Sequence, residues 1–416
     1  MNFLFAWRYF KAKKSTNAIN IIAWISITAM MFGTAALILV LSVFNGFEGL
    51  VKSLYSSFYT DLKILPVQGK VIRLTDQQLQ KIKSIREIKN FSRVAEEKAL
   101  LQNGEYQTVV ILKGVDENYE YVTDVPKFLV KANFDLGDTS FTSLLGDADF
   151  PSLILGAGIE NAVGVQADRN LLPLVVYLPK RGVSELLDPL KNIGADTITT
   201  TGAFMIQQDF DNKYALTNLA FVKNMLGMEP DEYSGLEIAL NDPGDANDVR
   251  TILSQMMGSN YSVQTRFEQN RGLYSVMQAE KWVIYAVLCL ILIVAAFNMI
   301  GALTMLVLEK EKDISVLHAL GGNKNFIQKI FLSEGLLLAL IGGGVGMLLA
   351  LIIALLQINF KLIPLEGGSF LIDYFPVILQ FQDFLLVGAT VLVIALLASW
   401  IPSRKAAAQE FSLRSE

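Results

Sequence analysis

Long apolar stretches alternate with polar segments along this chain. Four stretches carry almost no charge, at about residues 19–44, 282–308, 326–356 and 384–401. A helix needs roughly 20 apolar residues to cross the hydrocarbon core of a bilayer. The pattern therefore predicts four transmembrane helices, with one large domain at residues 46–280 between the first and the second.

Basic residues beside these stretches predict the orientation of the chain, because cytoplasmic loops are enriched in Lys and Arg. They precede the first stretch, follow the second and follow the fourth: Arg8, Lys11, Lys13, Lys14, Lys310, Lys312, Lys324, Arg404 and Lys405. We therefore expect cytoplasmic segments at residues 1–18, 309–325 and 402–416, and exported segments at 46–280 and 357–383. The first stretch is too long for the apolar region of a signal peptide, so we interpret it as an uncleaved anchor.

Composition agrees with insertion into a membrane. Hydrophobic residues make up 52% of the chain and charged residues 18%, with a mean hydropathy of +0.41, which is too apolar for an ordinary soluble protein. Residues 46–280 carry about 31 acidic and 22 basic side chains, so nucleic acid is not expected as a partner. The single cysteine, Cys289, lies in the second stretch, so the exported domain has to fold without a disulfide.

Short alternating patterns predict strands in the exported domain. Near its two ends they are LKILPV, KVIRL, KALLQ, QTVVILKGV, GLEIALN and YSVQTRF, and in its middle LPLVVYLPKRG and TTTGAFMI. Predicted helices cover residues 76–85, 217–226 and 246–257. We expect a split α/β unit at residues 46–124 and 237–280, with residues 125–236 inserted into it.

The predicted fold class is an α-helical membrane protein with four transmembrane helices and a large exported α/β (α+β) domain between helices 1 and 2. Helix 1, at residues 19–45, is longer than the bilayer requires. Helix 2, at 281–308, can continue upward through residues 267–281. Both are therefore expected to rise above the membrane as a stalk.

The loop at residues 309–325 has the pattern of a short helix. Ile314, Leu317 and Leu320 recur at three-residue spacing. The first turn holds Glu309, Lys310, Glu311, Lys312 and Asp313, and a Gly321-Gly322 pair follows as a stop signal. Such a loop either only joins two spans or offers an apolar face to a cytoplasmic partner. The pattern alone leaves both possibilities open.

Three segments carry a resemblance to a known family. AFNMIGALTMLVLEKEKDISVLHALGGNKNFIQKIFLSEGLLLALIGGGVGMLLAL resembles the core of ABC-transporter permeases of the macrolide-exporter and cell-division type. FAWRYFKAKKSTNAINIIAWISITAMMFGTAALILVLSVFNGFE resembles the first span of the lipoprotein-releasing membrane subunits, and IPSRKAAAQEFSLR resembles the family's C-terminal tail. The tail departs from the family in lacking the proline usual before its final Leu413-Arg414.

This resemblance implies a fold like that of type VII ABC transporters and a bacterial inner-membrane location. It implies that the loop after the second span is a coupling helix that docks on a separate ATPase, through Glu309, Lys310, Glu311, Lys312, Asp313, Ile314, Leu317, His318, Leu320 and Gly321. It also implies a second permease subunit, identical or paralogous, together with membrane lipids, lipoprotein cargo and a periplasmic lipoprotein carrier. Apolar side chains that can pack against lipid-like chains suggest a substrate cleft at Val40, Val43, Phe44 and Phe47.

Catalytic motifs are absent from the sequence. There is no GxxxxGK[ST] run to hold nucleotide phosphates, and the single histidine, His318, excludes histidine-based metal or triad chemistry. We therefore expect no catalysis, no metal and no bound cofactor in this chain, with ATP and Mg²⁺ on the partner ATPase. Gly342 and Gly346 form a G-x-x-x-G spacing, which lets helices approach closely within one subunit or between two.

The expected function is that of the permease subunit of an ATP-driven transporter that extracts acylated lipoproteins from the outer leaflet of the inner membrane. One alternative keeps the fold but exports drugs, peptides or toxins, as macrolide exporters do. A second is a regulator without cargo that transmits force to a periplasmic enzyme. A third, a receptor with an unrelated cytoplasmic partner, predicts no associated ATPase.

Overall fold

The computed structural model describes residues 17–133, 140–169, 173–179, 193–365 and 372–408, with residues 17–20 described by backbone alone. The N-terminal basic residues and the Leu413-Arg414 tail lie outside these ranges. The described helices are α1 Asn17–Phe58, α2 Asp76–Lys83, α3 Ala157–Val163, α4 Gln208–Asp211, α5 Leu219–Leu226, α6 Ala246–Met257, α7 Arg266–Gln269, α8 Arg271–Glu309, α9 Glu311–Ala319, α10 Lys324–Phe360 and α11 Phe381–Ala408.

The described strands are β1 Leu62–Pro66, β2 Ile72–Arg73, β3 Ile88–Asn103, β4 Tyr106–Val115, β5 Leu129–Ala132, β6 Ser152–Gly156, β7 Leu174–Pro179, β8 Ile193–Phe204, β9 Tyr214–Asn218, β10 Glu232–Tyr233, β11 Gly235–Leu240 and β12 Tyr261–Thr265. The chain divides into two compact units. The helical unit comprises Met1–Leu50 and Ser275–Glu416, and the sheet unit comprises Val51–Tyr274.

Four helices in the described residues are long and apolar enough to cross a membrane: α1, α8, α10 and α11. The four predicted spans are thereby confirmed by length and composition, although every helix is longer than its apolar stretch. α1 runs to Phe58 because residues 45–58 contain no proline and keep apolar side chains at helical spacing. α11 continues through Pro402 as far as Ala408.

The core of the helical unit is built where these helices pack together. Leu37, Ile38 and Leu41 of α1 are fully buried there with Leu292 of α8. Gly342 and Gly346 of α10 lie against α1 of the same chain: a Cβ at Gly342 would come within 2.8 Å of the Ile27 carbonyl oxygen, and one at Gly346 within 2.5 Å of the Met31 carbonyl oxygen. The G-x-x-x-G face of α10 is therefore a packing surface within this subunit.

The sheet unit is organised around one ten-stranded mixed sheet. Its main path runs β12-β1-β11-β3-β4-β9-β6-β8-β5, and β7 pairs with β3 and β8. β1 pairs antiparallel with both β11 and β12, so the two ends of the domain lie side by side. The strands β5 to β9 of residues 125–236 continue the same sheet, because β9 pairs with β4 and β7 pairs with β3. The short strand β10 pairs instead with β2 in a separate two-stranded sheet. The middle of the domain therefore shares one sheet with its ends.

Most local predictions in this unit are confirmed. The helix predicted at 246–257 has those bounds in α6, and the helix predicted from 76 begins there, with Thr75 forming a capping box with Gln78. The helix predicted from 217 starts later, at Leu219, because Asn218 ends β9 and its side chain caps the helix by accepting from the Phe221 amide.

The last turns of α1 belong to the core of the sheet unit. Phe58 is 2% exposed and stacks on Phe210, with ring centroids 4.5 Å apart. Tyr55 is also buried, and its hydroxyl donates to Asp209 at 2.7 Å.

Candidate functional site

The loop helix α9 is joined to its neighbours by tight turns. Lys310 precedes the helix and forms an ion pair with Asp313, with Nζ 3.0 Å from the carboxylate oxygen. After the helix, Gly321 takes a φ of 92°, which favours glycine, and the Gly322 amide donates to the Leu317 carbonyl at 2.8 Å. Asn323 then caps α10 by accepting from the Phe326 amide. These turns fix α9 between two long helices.

The apolar stripe expected on α9 is divided between two faces. Ile314 is 2% exposed and belongs to the core of the helical unit, so it differs from the prediction that it contacts a partner. Leu320 is 79% exposed, and Val316 is 58% exposed. Residues four apart lie on the same side of a helix, so Val316 and Leu320 form the apolar surface that α9 offers to solvent.

The remaining predicted docking residues surround this surface. Glu311 and Lys312 are exposed, whereas Leu317 and His318 are half-buried. The Nε2 atom of His318 is buried and has no hydrogen-bond partner among the described residues. Glu309, Lys310 and Asp313 are partly exposed, and Gly321 is exposed. The structure therefore brings the charged residues and the Val316–Leu320 pair onto one short element.

The predicted cleft residues lie on α1 with unequal exposure. Val40 is 38% exposed, while Val43 and Phe44 are half-buried. The ring of Phe47 packs edge-on against Phe375, with centroids 5.9 Å apart. Phe375 precedes α11, so a loop contact that the sequence does not predict covers part of the Phe47 side chain.

A polar cluster near this end of α1 was missed by sequence reasoning. The Asn45 side-chain amide donates to Asp383 at 2.5 Å, and its carbonyl oxygen accepts from Lys281 Nζ at 2.8 Å. Lys281 Nζ also lies 3.5 Å from the Asp383 carboxylate. The available signal was weak: Lys281 and Asp383 each stand beside the start of an apolar stretch, and Asn45 lies in the family-like SVFNGFE segment.

Two family models match the chain. The model of the FtsX-like permease C-terminal matches residues 285–411, and that of the MacB-like periplasmic core domain matches residues 23–147. LolE, a lipoprotein-releasing system transmembrane protein of Haemophilus influenzae, is 27% identical over 97% of this chain and 96% of its own length. LolC, a protein of the same system from Neisseria meningitidis serogroup B, is 25% identical over 96% of each chain.

Among solved structures, the periplasmic region of MacB from Actinobacillus actinomycetemcomitans covers 54% of this chain and 98% of its own. It is 12% identical with a TM-score of 0.35, which is a weak likeness.

The helices and the family models together define a multi-pass membrane protein with an extracytoplasmic domain between its first and second long helices. The chain is an FtsX/MacB-like permease of the ABC type, with LolE and LolC among its homologues. The family resemblance and the fold class predicted from the sequence are thereby confirmed. Permeases of this family are typically the non-catalytic membrane component of an ABC transporter, and the family implies an ATPase partner.

Proposed function

We propose that this chain is the permease subunit of an ATP-driven transporter that releases acylated lipoproteins from the outer leaflet of a bacterial inner membrane. The observation that carries the proposal is similarity over nearly the whole chain to LolE and LolC, whose names describe a lipoprotein-releasing system. The similarity includes the large domain between α1 and α8, where a periplasmic carrier would receive the cargo.

Docking of the ATPase is assigned to α9. Val316 and Leu320 supply an exposed apolar pair, and Glu311 and Lys312 supply exposed charges beside it. Interface energy concentrates in a few apolar or aromatic anchors surrounded by polar groups. Ile314 contributes by fixing α9 to the helical core, so that a push on α9 moves the unit as a body. This assignment requires cytoplasmic termini, as the basic residues predict.

Transmission to the exported domain is assigned to α1. This helix is continuous from Asn17 to Phe58, and its last turns are part of the sheet unit's core through Tyr55 and Phe58. A displacement of α1 would therefore be passed to the sheet by packed side chains. ATP binding closes the ATPases, α9 shifts, and the first spans of two paired permeases, identical or paralogous, move against each other.

Extraction of an acyl anchor needs both an apolar surface and work. Each CH₂ group taken from the bilayer costs about 0.8 kcal/mol, so removing a multiply acylated anchor into water costs on the order of tens of kcal/mol. We assign the receiving surface to Val40, Val43, Phe44 and Phe47 of α1. A photo-crosslinker at Val40, which is 38% exposed, should capture acylated protein, whereas one at Leu385 of α11, which is more exposed at 59%, should not.

The direct test is reconstitution of the chain with its co-expressed ATPase and permease partners in nanodiscs that contain a triacylated lipoprotein. Adding ATP and a periplasmic carrier should transfer the lipoprotein to the soluble fraction. A non-acylated version of the same protein serves as the control, because it needs no extraction. Intact ATP hydrolysis without transfer of the acylated protein would overturn the proposal.

A further inference from the structure

The cluster of Asn45, Lys281 and Asp383, termed here the polar clasp, joins three of the four long helices. Asn45 lies on α1, Lys281 on α8 and Asp383 in the first turn of α11. Asn45 and Asp383 are 2% and 4% exposed. Ionisable groups in or beside membrane spans are costly and are usually retained for a function. No residue of the predicted docking site or cleft belongs to this cluster.

Asn45 is placed to bridge the two charges. Its amide nitrogen donates to the Asp383 carboxylate and its amide oxygen accepts from the Lys281 ammonium. Only a side chain with both a donor and an acceptor can make these two contacts. Apolar side chains of similar volume would pack these helices at least as well, so the clasp adds a specific, breakable connection to the packing.

Around Asn45, α1 makes more contacts with α11 and the segment that precedes it than with α8. The segment that precedes α11 runs along α1: the Ile378 amide donates to the Ser42 carbonyl at 3.0 Å, and the Asn45 amide nitrogen lies 3.4 Å from the Ile378 carbonyl. Gly46 is covered by the backbone of Pro376, where a Cβ would collide. α1 and the segment leading into α11 are thus fastened together by main-chain and side-chain contacts.

Lys281 is the point at which the clasp can open. Its side chain is 26% exposed, and its ammonium group is held by the Asn45 oxygen at 2.8 Å and more loosely by Asp383 at 3.5 Å. A long lysine side chain can move its charge into water while its stem stays in place. Further along the same helix, the hydroxyl groups of Tyr285 and Thr390 are hydrogen-bonded, so α8 stays attached to α11 when Lys281 leaves.

We propose that Lys281 is a positioning residue for force transmission: it holds this end of α8 against the α1–α11 pair at rest, and it leaves Asn45 and Asp383 during the ATP-driven stroke. The inference rests on the proposed function and adds to it the element that has to open. Because Lys281 holds α8 in its resting position, its loss should leave ATP hydrolysis intact. Hydrolysis should then no longer be coupled to lipoprotein release.

The first experiment measures distance without any cargo. Spin labels at the exposed Glu280 and Gln382, in a Cys289→Ser background, report the separation of α8 and α11 in the full chain assembled with its ATPase in nanodiscs. Lys281→Met and Asp383→Asn should each lengthen and broaden the distance distribution. The charge exchange Lys281→Asp with Asp383→Lys should restore it. Ser42→Ala should leave it unchanged, because within the described part of the chain the Ser42 hydroxyl donates to the Ile38 carbonyl of its own helix and to no group of α8 or α11.

In the wild type, a non-hydrolysable ATP analogue should move the distribution toward that of Lys281→Met. A Lys281→Met distribution equal to that of the wild type would overturn the proposal, and so would an analogue that leaves the wild-type distance unchanged. If the charge exchange fails to assemble, Asn45→Leu, which removes both the donor to Asp383 and the acceptor for Lys281, tests the bridge between the two charges and should also broaden the distribution.

The second experiment measures lipoprotein released per ATP hydrolysed in the reconstituted transporter. Lys281→Met should lower this ratio about tenfold, a coupling change of ordinary allosteric size, with ATP hydrolysis retained. A purely structural role would lower hydrolysis and release together, which would count against the proposal. If the wild type releases no acylated protein while the distances respond as expected, the cargo assignment fails and the role of the polar clasp stands. If Lys281→Met releases as much lipoprotein per ATP as the wild type, the role of the polar clasp fails and the cargo assignment stands.

Discussion

Lys113 and Glu237 form an ion pair inside the sheet unit, with Lys113 Nζ 2.8 and 2.9 Å from the two carboxylate oxygens. The Lys113 side chain is 1% exposed and the Glu237 side chain 4%. The ammonium group also lies 4.9 Å from the ring centroid of Phe58, the last residue of α1. A buried charge of this kind is tolerated only while its partner remains, so the end of α1 packs on a site that depends on Glu237.

Replacing Glu237 by Gln should therefore destabilise the chain strongly. The change leaves Lys113 charged and buried without its hydrogen-bonded carboxylate, which costs about 3–5 kcal/mol. For a unit of this size the midpoint of thermal unfolding should fall by about 10 °C, measured by intrinsic fluorescence of the full chain in detergent. Lys70→Met is the matched control, because the Lys70 side chain is 69% exposed in its pair with Glu97 and should contribute about 1 kcal/mol or less. Equal midpoints for the two variants would contradict the prediction.

Glu96 gives the stability a specific dependence on pH. Burial raises the pKa of its carboxyl group, but the ammonium groups of Lys63 and Lys113 lower it further, so the net pKa lies below the ordinary value. A lowered folded pKa adds stability above the unfolded value of about 4.3, and this contribution is lost as the pH falls through the folded pKa.

The unfolding midpoint should therefore be nearly constant from about pH 5 to 8 and decline below about pH 4. In Glu96→Gln the acid decline should be shallower, because the variant has no carboxyl group to protonate at this site. If the unfolding midpoints of the wild type and Glu96→Gln fall equally steeply in acid, other carboxylates account for the acid destabilisation and the prediction is wrong. Lys63 adds no slope in this range, because its raised pKa places any loss of stability above about pH 10.

The close approach of α10 to α1 predicts contrasting results at two neighbouring glycines. Gly346→Leu should disrupt the helical unit, since even a Cβ there would lie 2.5 Å from the Met31 carbonyl oxygen. Gly344→Leu should be tolerated, because nothing lies within 4 Å of a Cβ at Gly344. The readout is the monodisperse fraction after detergent extraction and its thermal midpoint. Wild-type behaviour of Gly346→Leu would mean that α10 and α1 are not in contact.

Docking on α9 is tested by placing charge on its exposed apolar pair. The double change Val316→Asp and Leu320→Asp should reduce copurification of the ATPase at least about tenfold, since loss of an anchor residue costs about 2 kcal/mol or more. Ile252→Asp is the control: it makes the same chemical change at a side chain that is 47% exposed on the sheet unit. ATPase recovered at full yield with the double variant would exclude this face of α9.

Sequence periodicity predicted the helices and strands well where one pattern was unbroken, as in α6. On α9 it predicted the helix but placed Ile314 and Leu320 on one face, for a geometric reason. Ile314 and Leu320 are six residues apart, which at 3.6 residues per turn places them about 120° apart around the helix. Val316 and Leu320 differ by only about 40°. The three-residue spacing therefore spans two faces, one buried in the core and one exposed.

The polar clasp could not be predicted from the sequence. Asn45 and Lys281 are 236 residues apart in the chain, and Asn45 and Asp383 are 338 apart. Each residue alone is an ordinary polar side chain at the end of an apolar stretch. Only helix packing brings them within hydrogen-bond distance. The end of α1 was missed for the opposite reason, because Glu48 and Lys52 end the apolar stretch without ending the helix.

The pairing of β1 has a consequence for biogenesis. Leu62 pairs with Ile238 of β11 and Thr265 of β12, so about 200 residues separate it from its second partner. At a synthesis rate of about 5–20 residues per second, β1 waits roughly 10–40 s before β12 exists. During that time it emerges with unpaired edges, which favour aggregation. Folding of the extracytoplasmic domain should therefore depend on chaperones that shield the nascent β1 strand until β12 has been synthesised.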